Sequence, residues 1–371
     1  MMHVTAPGTR EARLVSGTKP VRARVFGATL AALLLLGLAA AGGYFWLQRQ
    51  YQAEGPASAV TRVEVVPGAS VRGVLTQLQS LGAVRSCRAI VWYLRLRGAH
   101  PRMQAGVYEI PPRASPEQII ALFEEGKVVL DQITVVEGAT FAEFIEALDE
   151  HPHVIHTLKG KTPREVMSAL GHPGVSAEGE FFPDTYRFAA NTSDATILEL
   201  AYAGMQRTLG AAWAARATDL PFDSPYQGLI LASIVEKEAA LKSERALIAG
   251  VFVNRLRKGM RLQSDPTVIY GLGETYDGSI HTRDLLRDTP FNTYTREGLP
   301  PTPVALPGRE SVQAAVHPED TTALYFVATG RGDGAHQFSS TLEEHNSAVK
   351  AYLARLRAQE RAADPKAAGR P

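Results

Sequence analysis

Apolar positions change their spacing several times along the chain, and each change predicts a different element. Across 25–47 the run VFGATLAALLLLGLAAAGGYFWL carries no charge, and at about 1.5 Å per helical residue it is long enough for a hydrocarbon core of about 30 Å. It predicts one transmembrane helix, with Tyr44, Phe45 and Trp46 at the outer interface. A cleaved signal peptide fits less well, because its apolar stretch should be only about 7–15 residues. The polar and small residues over 48–60 read as a spacer off the membrane.

Beyond the spacer one pattern comes three times. The segments 63–71, 108–116 and 133–141 each combine a short β-rich run, a turn, and Ser70, Ser115 or Thr140 opening an apolar-periodic helix. Such strand–turn–helix copies cannot bury their apolar faces alone, so they predict one or two small α/β modules over about 61–150. The first of these units resembles the LysM type of cell-wall binder. Further on, an aromatic loop, GEFFPDTY, spans 179–186, and helical periodicity covers 193–209. Ser224-Pro225 is a strong helix start, and 229–240 is apolar on nearly every side, as in a helix through the centre of a domain. Helices over 243–259 and 342–357, a short element over 265–273, a Pro- and Gly-rich irregular stretch over 289–308 and a hairpin around 330–334 follow.

Composition narrows the function. With 371 residues and Lys+Arg 39 against Asp+Glu 38 there is no basic excess of the kind a general nucleic-acid binder shows. A single cysteine, Cys87, excludes an internal disulfide framework and a multi-thiolate zinc site. Arg10, Arg13, Lys19, Arg22 and Arg24 precede the apolar run against the lone acid Glu11, which puts the N-terminus in the cytoplasm and the bulk of the chain outside.

Catalytic signatures are sparse. H-E-x-x-H, G-x-S-x-G and a correctly spaced P-loop are missing, and Ser347–Lys350 matches S-x-x-K without the K-T-G that should accompany it. The histidines of HPHVIH, His151, His153 and His156, read as a surface turn, as does Arg331-Gly332-Asp333. What remains is Glu236-Lys237-Glu238. At 100° per residue Glu236 falls among Leu229, Ala232, Ser233, Ala239 and Ala240, whereas Glu238 points nearly the opposite way, near Leu231 and Ile234. An acid beside small, semi-apolar residues has room for a ligand and can hold a proton near neutrality. Helix geometry alone equally allows the three charges to mark the exposed end of a buried helix.

Several motifs together resemble the YceG-like family of endolytic murein transglycosylases: ASIVEKE at 232–238, VFVNRL at 251–256, LQSDPTVIY at 262–270, NTY at 292–294, GLPP at 298–301, YFV at 325–327 and EGEFFPDTY at 178–186. The likeness spans about 61–355, with Glu180 and Thr302 as departures from the usual pattern. It implies an α+β protein with a cytoplasmic tail over 1–24, the transmembrane helix 25–47, the spacer 48–60, a LysM-like module over 61–130, a catalytic domain over 131–357 and a disordered tail over 358–371. It also implies an enzyme of the inner (cytoplasmic) membrane that cuts peptidoglycan glycan strands internally beside peptidoglycan synthases, with Glu236 catalytic and no metal or organic cofactor. Glu178, Asp184, Tyr186, Gln263, Asp265, Tyr270, Asn292 and Tyr294 are then the candidate groove residues. Two alternatives stand beside this reading: a hydrolase of the same bond, which needs a second carboxylate, and a non-catalytic glycan-binding anchor.

Overall fold

Leucine- and alanine-rich sequence with no proline beyond Pro20, in the first turn, makes one long helix near the start of the chain, α1 (Lys19–Gln52). In the computed structural model, which describes His3 and residues 19–363, the most apolar window of this helix is wholly unburied, and the helix is long and apolar enough to cross a membrane. Most of the expected cytoplasmic tail, with Arg10, Glu11 and Arg13, and the end of the expected disordered tail, 364–371, lie outside the described residues.

The chain divides into two units, Met1–Val129 and Leu130–Pro371. In the first, α1 does not stop at Leu47. It runs on through Gln52 because Leu47 and Tyr51 find apolar partners: Tyr51 is buried, with its ring 4.8 Å from that of Tyr93. The start of the expected spacer is therefore helix. Next come β1 (Thr61–Val65), α2 (Val71–Ser80), α3 (Cys87–Leu96), β2 (Gly106–Ile110) and α4 (Pro116–Glu124). Ser70, Ser86 and Ser115 cap the three helices by accepting a backbone N–H, and Ser115 with Gln118 forms a full capping box. Strands β1 and β2 pair antiparallel, so Val63, Val65, Tyr108 and Ile110 all face one core with Leu75, Ile90 and Phe123. Cys87 is buried in it.

The second unit opens with the third copy of the repeat, β3 (Leu130–Thr134) and α5 (Phe141–Glu150), the latter capped by Thr140. It continues through β4 (Val154–Ile155), α6 (Pro163–Ala169), β5 (Thr185–Ala189), β6 (Thr192–Ser193), α7 (Asp194–Ala214), α8 (Pro225–Glu238), α9 (Arg245–Arg257), α10 (Asp265–Leu272), α11 (Thr282–Leu286), α12 (Arg309–Val316), β7 (Tyr325–Ala328), β8 (His336–Ser339) and α13 (Leu342–Ala363). The last helix thus extends beyond its expected end at Arg357. Among the described residues every sheet is two-stranded: β3 with β5 and β7 with β8 antiparallel, β4 with β6 parallel. The protein is a mixed α+β chain with one apolar N-terminal helix. Helix α8 is buried on all sides, with Leu229, Leu231, Ala232, Ile234 and Val235 inaccessible, and α12, α9 and α7 pack around it. Its C-terminal turn brings Glu236 and Glu238 to the edge of this core.

Candidate active site

Helix α8 ends at Glu238, where Ala239 turns extended, so Glu236 lies in the last turn. A helix C-terminus carries partial negative charge and disfavours a carboxylate there. The compensation comes from Arg245, the first residue of α9: its Nη2 donates to Glu236 Oε1 at 2.6 Å, and the Gly308 N–H donates to Oε2 at 2.8 Å. Both side chains are nearly sealed, 5% exposed for Glu236 and 7% for Arg245. The same guanidinium also meets Glu137 at 3.4 Å and Glu310 at 3.5 Å, and Lys242 reaches Glu310 at 3.7 Å. Arg245 Nε is buried without a hydrogen bond.

This differs from the expected strip of small residues. Ala232 and Ser233 are wholly buried, and the Ser233 hydroxyl donates to the Ile230 carbonyl while accepting from Val304 N–H. The space expected beside Glu236 is filled by the 303–308 segment, and an ion pair replaces semi-apolar surroundings. That segment is strapped in place, with Gly138 N–H to the Leu306 carbonyl at 2.9 Å and Leu306 N–H to the Ala139 carbonyl at 2.7 Å. Gly179 allows it to pass, since a Cβ there would lie 2.4 Å from Pro303.

The predicted groove residues do not converge on Glu236 but fall into three groups. Glu178 is buried and accepts from the Phe141 N–H at 3.0 Å and the Tyr270 hydroxyl at 3.1 Å. Burial pushes its carboxyl up to about 7 against those hydrogen bonds, and burial with the nearby Glu178 raises the Tyr270 phenol. Asp184 and Tyr186 line a separate cavity beside α7. Gln263, Asp265 and Tyr294 belong to the Glu238 side: Ser264 donates to Glu238 at 2.7 Å and Tyr294 to Asp265 at 2.5 Å. Burial, followed by that Ser264 contact acting in the opposite sense, leaves the Glu238 carboxyl above the usual range. Gln263 adopts a left-handed φ of 53°, which costs a non-glycine residue about 1 kcal/mol or more.

Asn292 has a different task from the sugar contact expected of it. It is 1% exposed, its amide nitrogen donates to the carbonyls of Asp284, Leu285 and Arg287, and its oxygen accepts from Tyr294 N–H. It caps the C-terminal end of α11, whose last carbonyls have no partner within so short a helix. The departure at Glu180 is also accommodated: its carboxylate is buried against Gln206 at 2.6 Å and pushed up to about 7 by burial. Asp149, His156 and Asp194 approach closely enough to share an ion. Asp194, however, already accepts from the Leu158 N–H and from the N–H and hydroxyl of Thr157, which is the work of a loop brace.

The YceG-like family matches residues 63–351. The chain belongs to that family. It is 33% identical over 309 residues to the endolytic murein transglycosylase of Bacillus subtilis (strain 168), covering 78% of this chain and 84% of the relative. It is 26% identical over 359 residues to that of Streptococcus pneumoniae (strain D39), covering 86% of this chain but only 64% of the longer relative. A solved YceG-like protein from Listeria monocytogenes shares 28% identity over 78% of this chain and 99% of its own, with a TM-score of 0.48.

Two partners of Glu236 in this YceG-like chain were not singled out from sequence, though each left a trace. Arg245 puts a cation at a helix start and Glu236 an anion at a helix end, both against the dipole; rules broken locally mark functional sites. Glu137 stands in the third repeat copy where the first has Pro67, in otherwise matching Val-Val-x-Gly-Ala turns. The turn needs no acid, so the acid serves something else.

Proposed function

We propose that this YceG-like protein is a membrane-anchored endolytic lytic transglycosylase, with Glu236 as its proton donor and acceptor. The observation that carries the reading is the placement of Glu236: a nearly sealed carboxyl at the end of a central helix, fixed by Arg245 and the Gly308 N–H. Glu236 protonates the oxygen linking N-acetylmuramic acid to N-acetylglucosamine, and the C1–O electron pair leaves with that oxygen. The muramic C6 hydroxyl then closes onto C1 and returns its proton to Glu236, so no water is consumed and a 1,6-anhydro end results. Arg245 steadies the carboxylate that exists between the two transfers, and Glu137 and Glu310 keep the guanidinium paired whenever Glu236 holds the proton. Glu178 with Tyr270, and Asp265 with Tyr294, offer hydrogen bonds and aromatic faces to flanking sugars.

The apolar α1 supports anchoring in the cytoplasmic membrane, with the basic N-terminal residues inside, the bulk outside and peptidoglycan synthases as neighbours. Two helices between the antiparallel strands β1 and β2 support a LysM-like, glycan-gripping role for 61–130, ahead of a catalytic part over 131–357. One observation favours a hydrolase of the same bond: Glu137 supplies a second carboxylate next to Glu236. Mass spectrometry of digested peptidoglycan decides between them. Anhydro-terminated fragments are expected; reducing ends one water heavier would replace this reading with hydrolysis.

A further inference from the structure

Between α7, the 181–186 segment and the start of α12 lies a cavity of about 280 Å³ that the chemistry above leaves unused. Phe182, Asp184, Tyr186, Gly204, Arg207 and Arg309 are among its lining residues. The fold makes room for it: Gly204 lets α7 approach the loop, since a Cβ there would lie 3.1 Å from the Phe182 Cβ. The Arg309 guanidinium carbon lies 5.5 Å over the Phe182 ring, a cation–π approach within the cavity wall. Among the described residues neither Arg207 nor Arg309 forms an ion pair, although elsewhere in the unit Arg245, Arg257 and Arg296 each do. Two arginines with unclaimed forks around one cavity suit a carboxylate, and Asp184 on the same wall suits an ammonium group.

Position narrows the ligand further. Arg309 stands in the chain between Gly308, whose N–H holds Glu236, and Glu310, which pairs with Arg245. One short stretch of chain thus contributes to both the cavity wall and the setting of Glu236. The volume is at the lower edge of the roughly 300–1,000 Å³ of small-ligand sites, enough for one or two amino-acid residues rather than a disaccharide. Murein strands carry short peptides with free carboxylates and amines on the muramic acid beside the scissile bond. Resting on the reading of Glu236 above, we infer that this cavity takes a carboxylate of the substrate's peptide stem, held by Arg207 and Arg309.

The experiment compares the full-length protein and its Arg207→Ala/Arg309→Ala variant on three substrates: strands with intact stems, strands whose stem carboxylates have been converted to carboxamides, and strands stripped of stems, which keep only the lactyl carboxylate. The variant is expected to raise KM at least about tenfold on intact strands, since each arginine removes a charge-assisted hydrogen bond, with kcat unchanged and no effect on carboxamide or stripped strands. Unaltered cutting of those two substrates also shows that the variant is folded. Equal loss on carboxamide strands, loss on stripped strands, or no loss on intact strands would each overturn the inference. Glu236→Gln, measured alongside, separates the two readings: if it still cut while the arginine effect persisted, the catalytic assignment would fail and the stem site would stand.

Discussion

Glu137 and Glu236 share a single nitrogen, Nη2 of Arg245, at 3.4 and 2.6 Å. One guanidinium thus faces two acids from distant parts of the chain, with Glu310 as a third on its other nitrogen. A buried cation needs this company, because losing its partner leaves an uncompensated charge. The cluster keeps a carboxylate beside Arg245 in every protonation state of Glu236.

Replacing Glu236 with Gln keeps the shape and removes the proton. Release of anhydro-terminated fragments should fall by about 10²–10⁴-fold, the range for loss of a positioned general acid–base. Glu238→Gln should retain most activity, because Glu238 contacts Ser264 on another side of the helix. Mass spectrometry of the digests reads both, and the opposite pattern would move the active carboxylate to Glu238.

Glu137→Gln distinguishes the two chemistries at this site. On the transglycosylase reading Glu137 acts only through Arg245 and its packing against Gly308, so anhydro products should persist within about tenfold of wild type. If Glu137 activates water, the variant should lose its reducing-end products altogether. Arg245→Gln is harsher, since it leaves Glu236 buried with only the Gly308 N–H; about 3–5 kcal/mol of stability should go with the broken pair, visible in chemical denaturation.

Buried acids make stability depend on pH, Glu178 and Glu180 among them. Burial pushes Glu178 and Glu180 up to about 7 from the ordinary glutamate value of 4.5. Between those values the folded chain keeps protons that the unfolded chain has released, so stability falls as pH rises through the window. Glu180→Gln can still accept from Gln206 through its amide oxygen, and removes one of these titrations. The fall between about pH 5 and 7 should become shallower, with a gain of at most about 3 kcal/mol at pH 8; a pH series of thermal melts with an unchanged slope would rule this out.

Gly250 tests how closely α9 must approach its neighbour. A Cβ at Gly250 would lie 2.5 Å from the Glu319 carbonyl oxygen, and neither backbone can yield cheaply. Gly250→Ala should cost roughly 1–3 kcal/mol despite the helical preference for alanine. Gly210→Ala in α7, where a Cβ meets nothing within 4 Å, should instead gain about 0.5–1 kcal/mol. Differential scanning calorimetry gives both signs.

Much of this architecture was legible because its signals are local. Ser70, Ser115, Thr140 and Ser224 each start the helix that the spacing predicts, because a cap and the first apolar turn lie within a few residues. The site was less legible, because its contacts are long-range. Sequence could mark Glu236, but not that α9 delivers Arg245 to it or that the third repeat copy delivers Glu137. Asn292 looked like a sugar ligand because its side chain is polar, yet the carbonyls at the end of α11 had first use of it. The end of α1 was misjudged for a related reason: Gln48–Gln52 carry no stop signal, and only the core of the first unit shows why Tyr51 continues the helix.

The unbroken passage of α1 into the first unit has a mechanical consequence. A flexible stretch of the length expected over 48–60 would let its cargo wander by about 20 Å. Leu47 and Tyr51, one and five residues beyond the exposed Trp46, however, already pack in the core of the unit. If α1 spans the membrane, the first unit is mounted on a stiff post rather than a leash, at a height above the lipid set by about one turn of helix, near 5 Å. The anchor then works as a ruler: it holds the first unit at a fixed, short distance from the bilayer and keeps it from reaching farther out.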